Sequence, residues 1–134
     1  MKRIILLAFL CTTTLVMAQR INHVQEAIAN YDYEAALTLI AKEKPTIPLL
    51  LQKGKAQRGL GMNTEALSTY QEIITNDTAN TRAYIEAAEC CRSLAKYQQA
   101  LKYYEQALDL NPENKYVRIK YPPSILRWPH RHKR

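Results

Sequence analysis

Glycine is scarce in this chain: Gly54, Gly59 and Gly61 are its three copies in 134 residues. A loop that cradles phosphate needs several glycines at fixed short spacing, so that backbone amides can approach the ligand. None can be built here. Histidine is as rare, and only His23 lies outside the C-terminal tail. No Ser or Cys has a histidine and a carboxylate in a recognisable nucleophile arrangement, and cysteines at zinc-binding spacing are missing. Of the three cysteines, Cys11 falls in an N-terminal apolar run and Cys90 and Cys91 are neighbours. Small secreted domains stapled by disulfides carry many more. Adjacent helical residues point about 100° apart, so Cys90 and Cys91 read as small buried apolar side chains. These absences point away from an enzyme, and no catalytic residue, cofactor or metal site is expected.

Charge of one sign is also missing from the middle of the chain. The net charge is +7, but Lys2 and Arg3 stand at one end, and Arg118, Lys120, Arg127, Arg131, Lys133 and Arg134 at the other. All 12 acidic residues lie between Gln19 and Val117 against 11 basic ones, a net of −1. A basic protein ordinarily invites nucleic acid as a partner; with the excess confined to the ends, none is expected.

Lys2-Arg3 followed by the apolar run Ile4–Val16, and then Val16-Met17-Ala18 before Gln19, has the layout of a signal peptide over residues 1–18. The run is about 13 residues, diluted by Thr12 to Thr14, against the roughly 20 that cross a bilayer as a helix. Cleavage is therefore favoured over anchoring, and the chain is expected to be exported, periplasmic or secreted. An uncleaved leader is the one route by which it would meet a membrane.

The body repeats itself at a shift of 34 residues. Leu50 and Leu51 map to Tyr84 and Ile85, Gly54 to Ala88, Ala66 to Ala100, Tyr70 to Tyr104, and Ile73 and Ile74 to Ala107 and Leu108. Size class is kept, and small residues recur where helices must approach. Such a period marks stacked helical units, each too thin to bury its own apolar face. Within the second unit Leu50, Gly54 and Gln57 form one helical stripe, and Ala66, Leu67, Tyr70, Ile73 and Ile74 a second. Arg58–Asn63 supplies the turn, with Asn63 as the expected N-cap. In the third unit Tyr84, Ala87, Ala88 and Cys91 form the first stripe, and Ala100, Leu101, Tyr104, Ala107 and Leu108 the second. Pro112 stops it, lacking the amide hydrogen that a continuing helix would use. Glu86 and Glu89, one turn apart, read as a solvated helix face.

Residues 81–114, TRAYIEAAECCRSLAKYQQALKYYEQALDLNPEN, resemble a tetratricopeptide repeat. Ala88, Tyr97, Ala100, Tyr104, Ala107 and Pro112 fall on the family's signature positions, with Cys91 where an aromatic is usual. Residues 47–80 are a weaker match through Gly54, Gly61, Ala66 and Tyr70. Residues 19–46 resemble a degenerate first helix pair, through Val24, Tyr33, Ala36 and Ile40, with its second helix cut short by Pro45 and Pro48. The resemblance implies an all-α fold of antiparallel helix pairs stacked as a short solenoid, in which Gly54, Ala66, Tyr70, Ala88, Tyr97, Ala100, Tyr104, Ala107 and Pro112 pack the repeats. It also implies that first helices line a concave face that holds a protein or peptide. By analogy that face comprises Asn22 and Gln25 in the first unit, and Leu51, Gln52, Lys55 and Arg58 in the second. In the third it comprises Arg82, Ile85, Glu86, Glu89 and Arg92. Positive charge beside apolar Leu51 and Ile85 suits an extended peptide with an acidic group. The lysine–asparagine–arginine clamp of some family members is not reproduced, because Leu51 and Lys55 occupy two of its positions.

Residues 115–134 begin a further helix that Pro122-Pro123 interrupt, then run on as a basic, proline-broken tail. Helical arrays finish with a polar capping helix, and its absence suggests the N-terminal fragment of a larger assembly protein, truncated or frame-shifted. The other reading is a basic arm that binds an anionic polymer or lipid through Trp128 and its arginines, with His130 and His132 as a weak metal pair.

Overall fold

A computed structural model describes residues 1–122, 124 and 125. Seven α-helices are formed among them: α1 (Lys2–Ala29), α2 (Tyr33–Ile40), α3 (Ile47–Gly59), α4 (Asn63–Asn76), α5 (Thr81–Ser93), α6 (Tyr97–Leu110) and α7 (Lys115–Lys120). The described residues contain no strand. They divide into two compact units, and the boundary falls between Leu60 and Gly61, in the turn between α3 and α4.

The helices α3, α5 and α7 start the same way. Thr46, Asn80 and Asn114, spaced by 34, each accept a backbone N–H three residues on, from Leu49, Ala83 and Val117. This satisfies one of the amides that a helix start leaves unpaired. Pro48 sits in the first turn of α3, where a missing N–H costs nothing, so it opens that helix. The turn inside each pair also recurs. Tyr31, Gly61 and Ala95 hold the same repeat position, and each has a left-handed φ, of 61°, 75° and 57°. Asn63 is not the cap of α4. Met62 holds that position without a side-chain bond, and the Asn63 amide instead donates back to the Gly61 carbonyl. The glycine turn brings that carbonyl within its reach.

In the first unit α1, α2 and α3 pack on one another around Val24, Ile28, Ala36, Ile40, Leu49 and Ala56. Gly59 ends α3 with no side chain, and the Tyr33 ring occupies the space a Cβ would take. Arg20 pairs with Glu43 at 2.7 Å. From Lys2 to Gln19, α1 is exposed throughout. By length and composition α1 could cross a membrane, a property a signal sequence shares. Residues 2–19 thus run as helix, continuous with the part of α1 that packs on α2 and α3.

In the second unit α4 packs on α5, α5 on α6, and α7 on α6. Tyr70, Ile73, Ala87, Ala88, Cys90, Cys91, Tyr104, Ala107, Leu108 and Val117 are all at or below 1% exposure. Both cysteines are free thiols, and burial pushes the Cys91 thiol up from its ordinary value. They fill core volume, as the sequence pattern suggests. The signature positions Gly54, Ala66, Tyr70, Ala88, Ala100, Tyr104 and Ala107 are buried and Pro112 is partly so.

Tyr97 departs from the packing role expected of it: it is 61% exposed. Its counterpart in the first pair, Tyr33, rests on the last turn of the following first helix. The matching turn after Tyr97 would come beyond Lys120, where α7 ends.

Candidate partner-binding faces

The residues expected to meet a partner fall into two sets, one in each unit. In the first, Asn22, Gln25 and Lys55 are exposed, while Leu51, Gln52 and Arg58 are half-buried. In the second, Arg82 and Arg92 are exposed, and Ile85 and Glu86 half-buried. The opposite sides of α3 and α5 are buried, through Leu50, Gly54 and Gln57 on one and Ala83, Ala87 and Cys90 on the other. Each first helix therefore shows a mixed polar and apolar stripe away from its core.

Glu89 is the exception and corrects the expectation of a solvated face: it is 4% exposed. Five hydrogen bonds converge on its carboxylate. Tyr104 and Tyr116 hydroxyls donate to Oε1 at 2.6 and 2.7 Å, and Lys120 Nζ donates to the same oxygen at 3.1 Å. Arg92 donates to Oε2 from Nε at 3.2 Å and Nη2 at 3.0 Å. Tyr121 stacks on Tyr104 with centroids 3.9 Å apart, their hydroxyls separated by 3.0 Å. Lys120 lies over both the Tyr116 and Tyr121 rings, at 5.0 and 5.9 Å. A buried carboxylate is costly unless paired and hydrogen-bonded, and this one is both.

The electrostatics follow from those contacts. Burial alone would push the Glu89 carboxyl up. Bonds from Tyr104, Tyr116, Arg92 and Lys120 outweigh it and hold the group at about 2. Burial, reinforced by the bond to Glu89, raises the Tyr104 hydroxyl well above its ordinary value, and burial raises Tyr116 too. The bond to Tyr116 raises the Lys120 ammonium. Glu89, Tyr104, Tyr116 and Lys120 are thereby moved away from neutral pH, the opposite of what general acid–base chemistry requires. The cluster is built to hold a shape.

The sequence placed Glu89 and Arg92 together on the partner face and missed Tyr116, Lys120 and Tyr121. Arg92 is a half-exposed partner of Glu89, so part of its charge is already matched within the chain. His23 is exposed, 3.9 Å from Glu26. Among the described residues no three His, Cys, Asp or Glu side chains are grouped to hold a metal. Trp128, His130 and His132 lie outside the described residues.

The family model described as "Tetratricopeptide repeat" matches residues 81–114, the segment that carries Glu89 and the α5–α6 pair. Residues 81–114 are thus similar to a tetratricopeptide repeat, as their signature positions suggest. A curated relative, "Tetratricopeptide repeat protein 6" of Homo sapiens, is 30% identical over 89 residues, covering 66% of this chain and 16% of that protein. The chain thus spans less than a fifth of that relative. Among solved structures, "Crystal structure of PcrH in complex with the chaperone binding region of PopB" superposes with a TM-score of 0.70. It covers 78% of this chain and 90% of the other at 18% identity, which establishes a shared fold.

Proposed function

We propose that this protein is a non-catalytic tetratricopeptide-repeat scaffold that works outside the cytoplasm and holds an extended segment of another protein on its first-helix faces. The observation that carries this reading is a stripe in each unit, Leu51, Gln52 and Lys55 on α3 and Arg82 and Ile85 on α5, that stays accessible while the opposite side of its helix is buried. Apolar carbon flanked by cations gives a segment both contact area and fixed charge positions. The related fold seen with a bound region of PopB supports the same kind of use. Export is supported by the exposed apolar helix ahead of the core and by the small residue Ala18 before Gln19. Leader removal there would leave the first buried residue of α1, Val24, in place.

The test is capture from the native cell envelope with the tagged chain, alongside a variant carrying Lys55→Glu and Arg82→Glu, both exposed and outside the Glu89 cluster. The scaffold reading expects a protein recovered by the parent and lost by the variant, and a mature chain whose first residue is Gln19. Recovery of the same set by both would remove the face. A chain from the envelope that still begins at Met1 would remove the processed, exported form.

A further inference from the structure

Two of the five hydrogen bonds on the Glu89 carboxylate come from outside its own helix pair. Tyr116 and Lys120, one turn apart on α7, both reach Oε1. Yet α7 is only six residues long, far below the length at which a helix is stable by itself. Its sole buried side chain is Val117, while Ile119 is 82% exposed. α7 therefore stays in place through one apolar side chain, the Tyr104–Tyr121 stack and the polar contacts to Glu89.

Polar contacts exchanged like for like change the free energy little. A segment from another molecule that offers a hydroxyl and an ammonium at the same spacing would make the bonds α7 makes. Its handicap is the effective concentration of α7, on the order of millimolar for a short tether. An acidic segment has no such option, because a second carboxylate would meet the ionised Glu89 where its oxygens are gathered.

We propose that the recess around Glu89 on α5 is a recognition site for a basic, tyrosine-bearing protein segment of the form Tyr-x-x-x-Lys, and that α7 is its resident intramolecular occupant. The site deepens the scaffold reading and rests on it for biological use, since it names what a partner presents to the C-terminal unit. The two can fail separately. A bound peptide with no captured partner would count against the scaffold alone, and a captured partner with no peptide binding would count against the recess alone.

The experiment uses the full chain and a fluorescent peptide copying residues 115–121. Tyr116→Phe with Lys120→Met loosens α7 without deleting it. This variant is expected to bind the peptide at least about tenfold more tightly than the parent, which corresponds to roughly 1.4 kcal/mol. Adding Glu89→Gln to it should abolish the gain, as should replacing the first tyrosine and second lysine of the peptide with phenylalanine and methionine. No gain in the loosened chain, or equal binding by the Gln variant or the altered peptide, overturns the proposal. Should the loosened chain lose its helical signal, the parent decides. Excess peptide should speed hydrogen exchange at the α7 amides and leave those of α6 unchanged, and unaltered α7 exchange overturns the proposal.

Discussion

In the N-terminal unit a helix pair is closed over by carbon. The Tyr33 ring lies against the bare backbone of Gly59, in a unit whose core cluster is apolar. In the C-terminal unit the tyrosine at the same repeat position, Tyr97, stands 61% exposed. There the end of the unit is closed by a carboxylate with five donors, around which Tyr104, Tyr116 and Tyr121 are arranged. The contrast follows from what comes next along the chain. Apolar closure needs a neighbour long enough to spread contact area, which α3 provides. A six-residue helix offers little area, and directional bonds to a buried charge fix it with few atoms. Closure of this second kind is sensitive to pH and to loss of a single group, whereas the first is sensitive only to shape.

The largest effect expected from this contrast is on acidification. Glu89 titrates at 4.5 in its ordinary state and at about 2 when folded. Between those values the folded chain binds fewer protons than the unfolded one, so protons favour unfolding. The contribution is complete above pH 4.5 and is lost as the pH falls towards 2. Each tenfold change in acid strength is equivalent to about 1.4 kcal/mol, so the whole contribution amounts to roughly 3 kcal/mol. Glu89→Gln should remove a similar amount at neutral pH and flatten this part of the profile. Urea unfolding followed by circular dichroism from pH 7 to pH 2 checks both. Parent and variant curves should converge at the acid end, and curves that stay parallel throughout would show that the carboxylate is not what closes the unit.

How much of this was readable in advance depended on how far apart in the chain the partners stand. The stripes from Leu50 to Gln57 and from Ala100 to Leu108 are periodic, and burial followed the period. The caps Thr46, Asn80 and Asn114 were equally visible at their spacing of 34, had the first helices been compared at their starts. Glu89 was not readable as buried. Its donors Tyr116 and Lys120 are 27 and 31 residues away, on a helix that Pro122 and Pro123 made look abortive. A carboxylate one turn from another carboxylate gives no sign of such a neighbour. Tyr97 fits its signature position well, but a signature describes a repeat in the middle of an array, and among the described residues α7 alone follows this one.

A smaller effect is expected on the apolar side of the comparison. Gly59→Ala would place a methyl group in the Tyr33 ring. Overpacking costs about 1–3 kcal/mol, and the better helix propensity of alanine returns up to about 1 kcal/mol. The net loss should be about 1 kcal/mol in denaturant unfolding, with no dependence on pH between 7 and 2 beyond that of the parent. In a Tyr33→Ala background the same change should be neutral or stabilising. A loss of the same size in both backgrounds would mean that the ring is not the neighbour that matters.

The smallest effect is a gain, and it bears on what the two units share. Tyr31, Gly61 and Ala95 all take a left-handed conformation at the turn between paired helices, although only one of them is glycine. For a residue with a Cβ that conformation costs about 1–2 kcal/mol. Glycine avoids the cost and gives back about 0.5–1 kcal/mol through the greater freedom of the unfolded chain. Ala95→Gly should therefore stabilise the C-terminal unit by about 0.5–1 kcal/mol, seen as a higher denaturant midpoint with an unchanged slope. Tyr31→Gly should gain less in the N-terminal unit, because it also deletes the edge contact with Tyr33, whose ring centroid is 6.2 Å away. If Ala95→Gly lowers the midpoint, the turn is held by something other than the repeat geometry common to Tyr31 and Gly61, and the equivalence of the three positions fails with it.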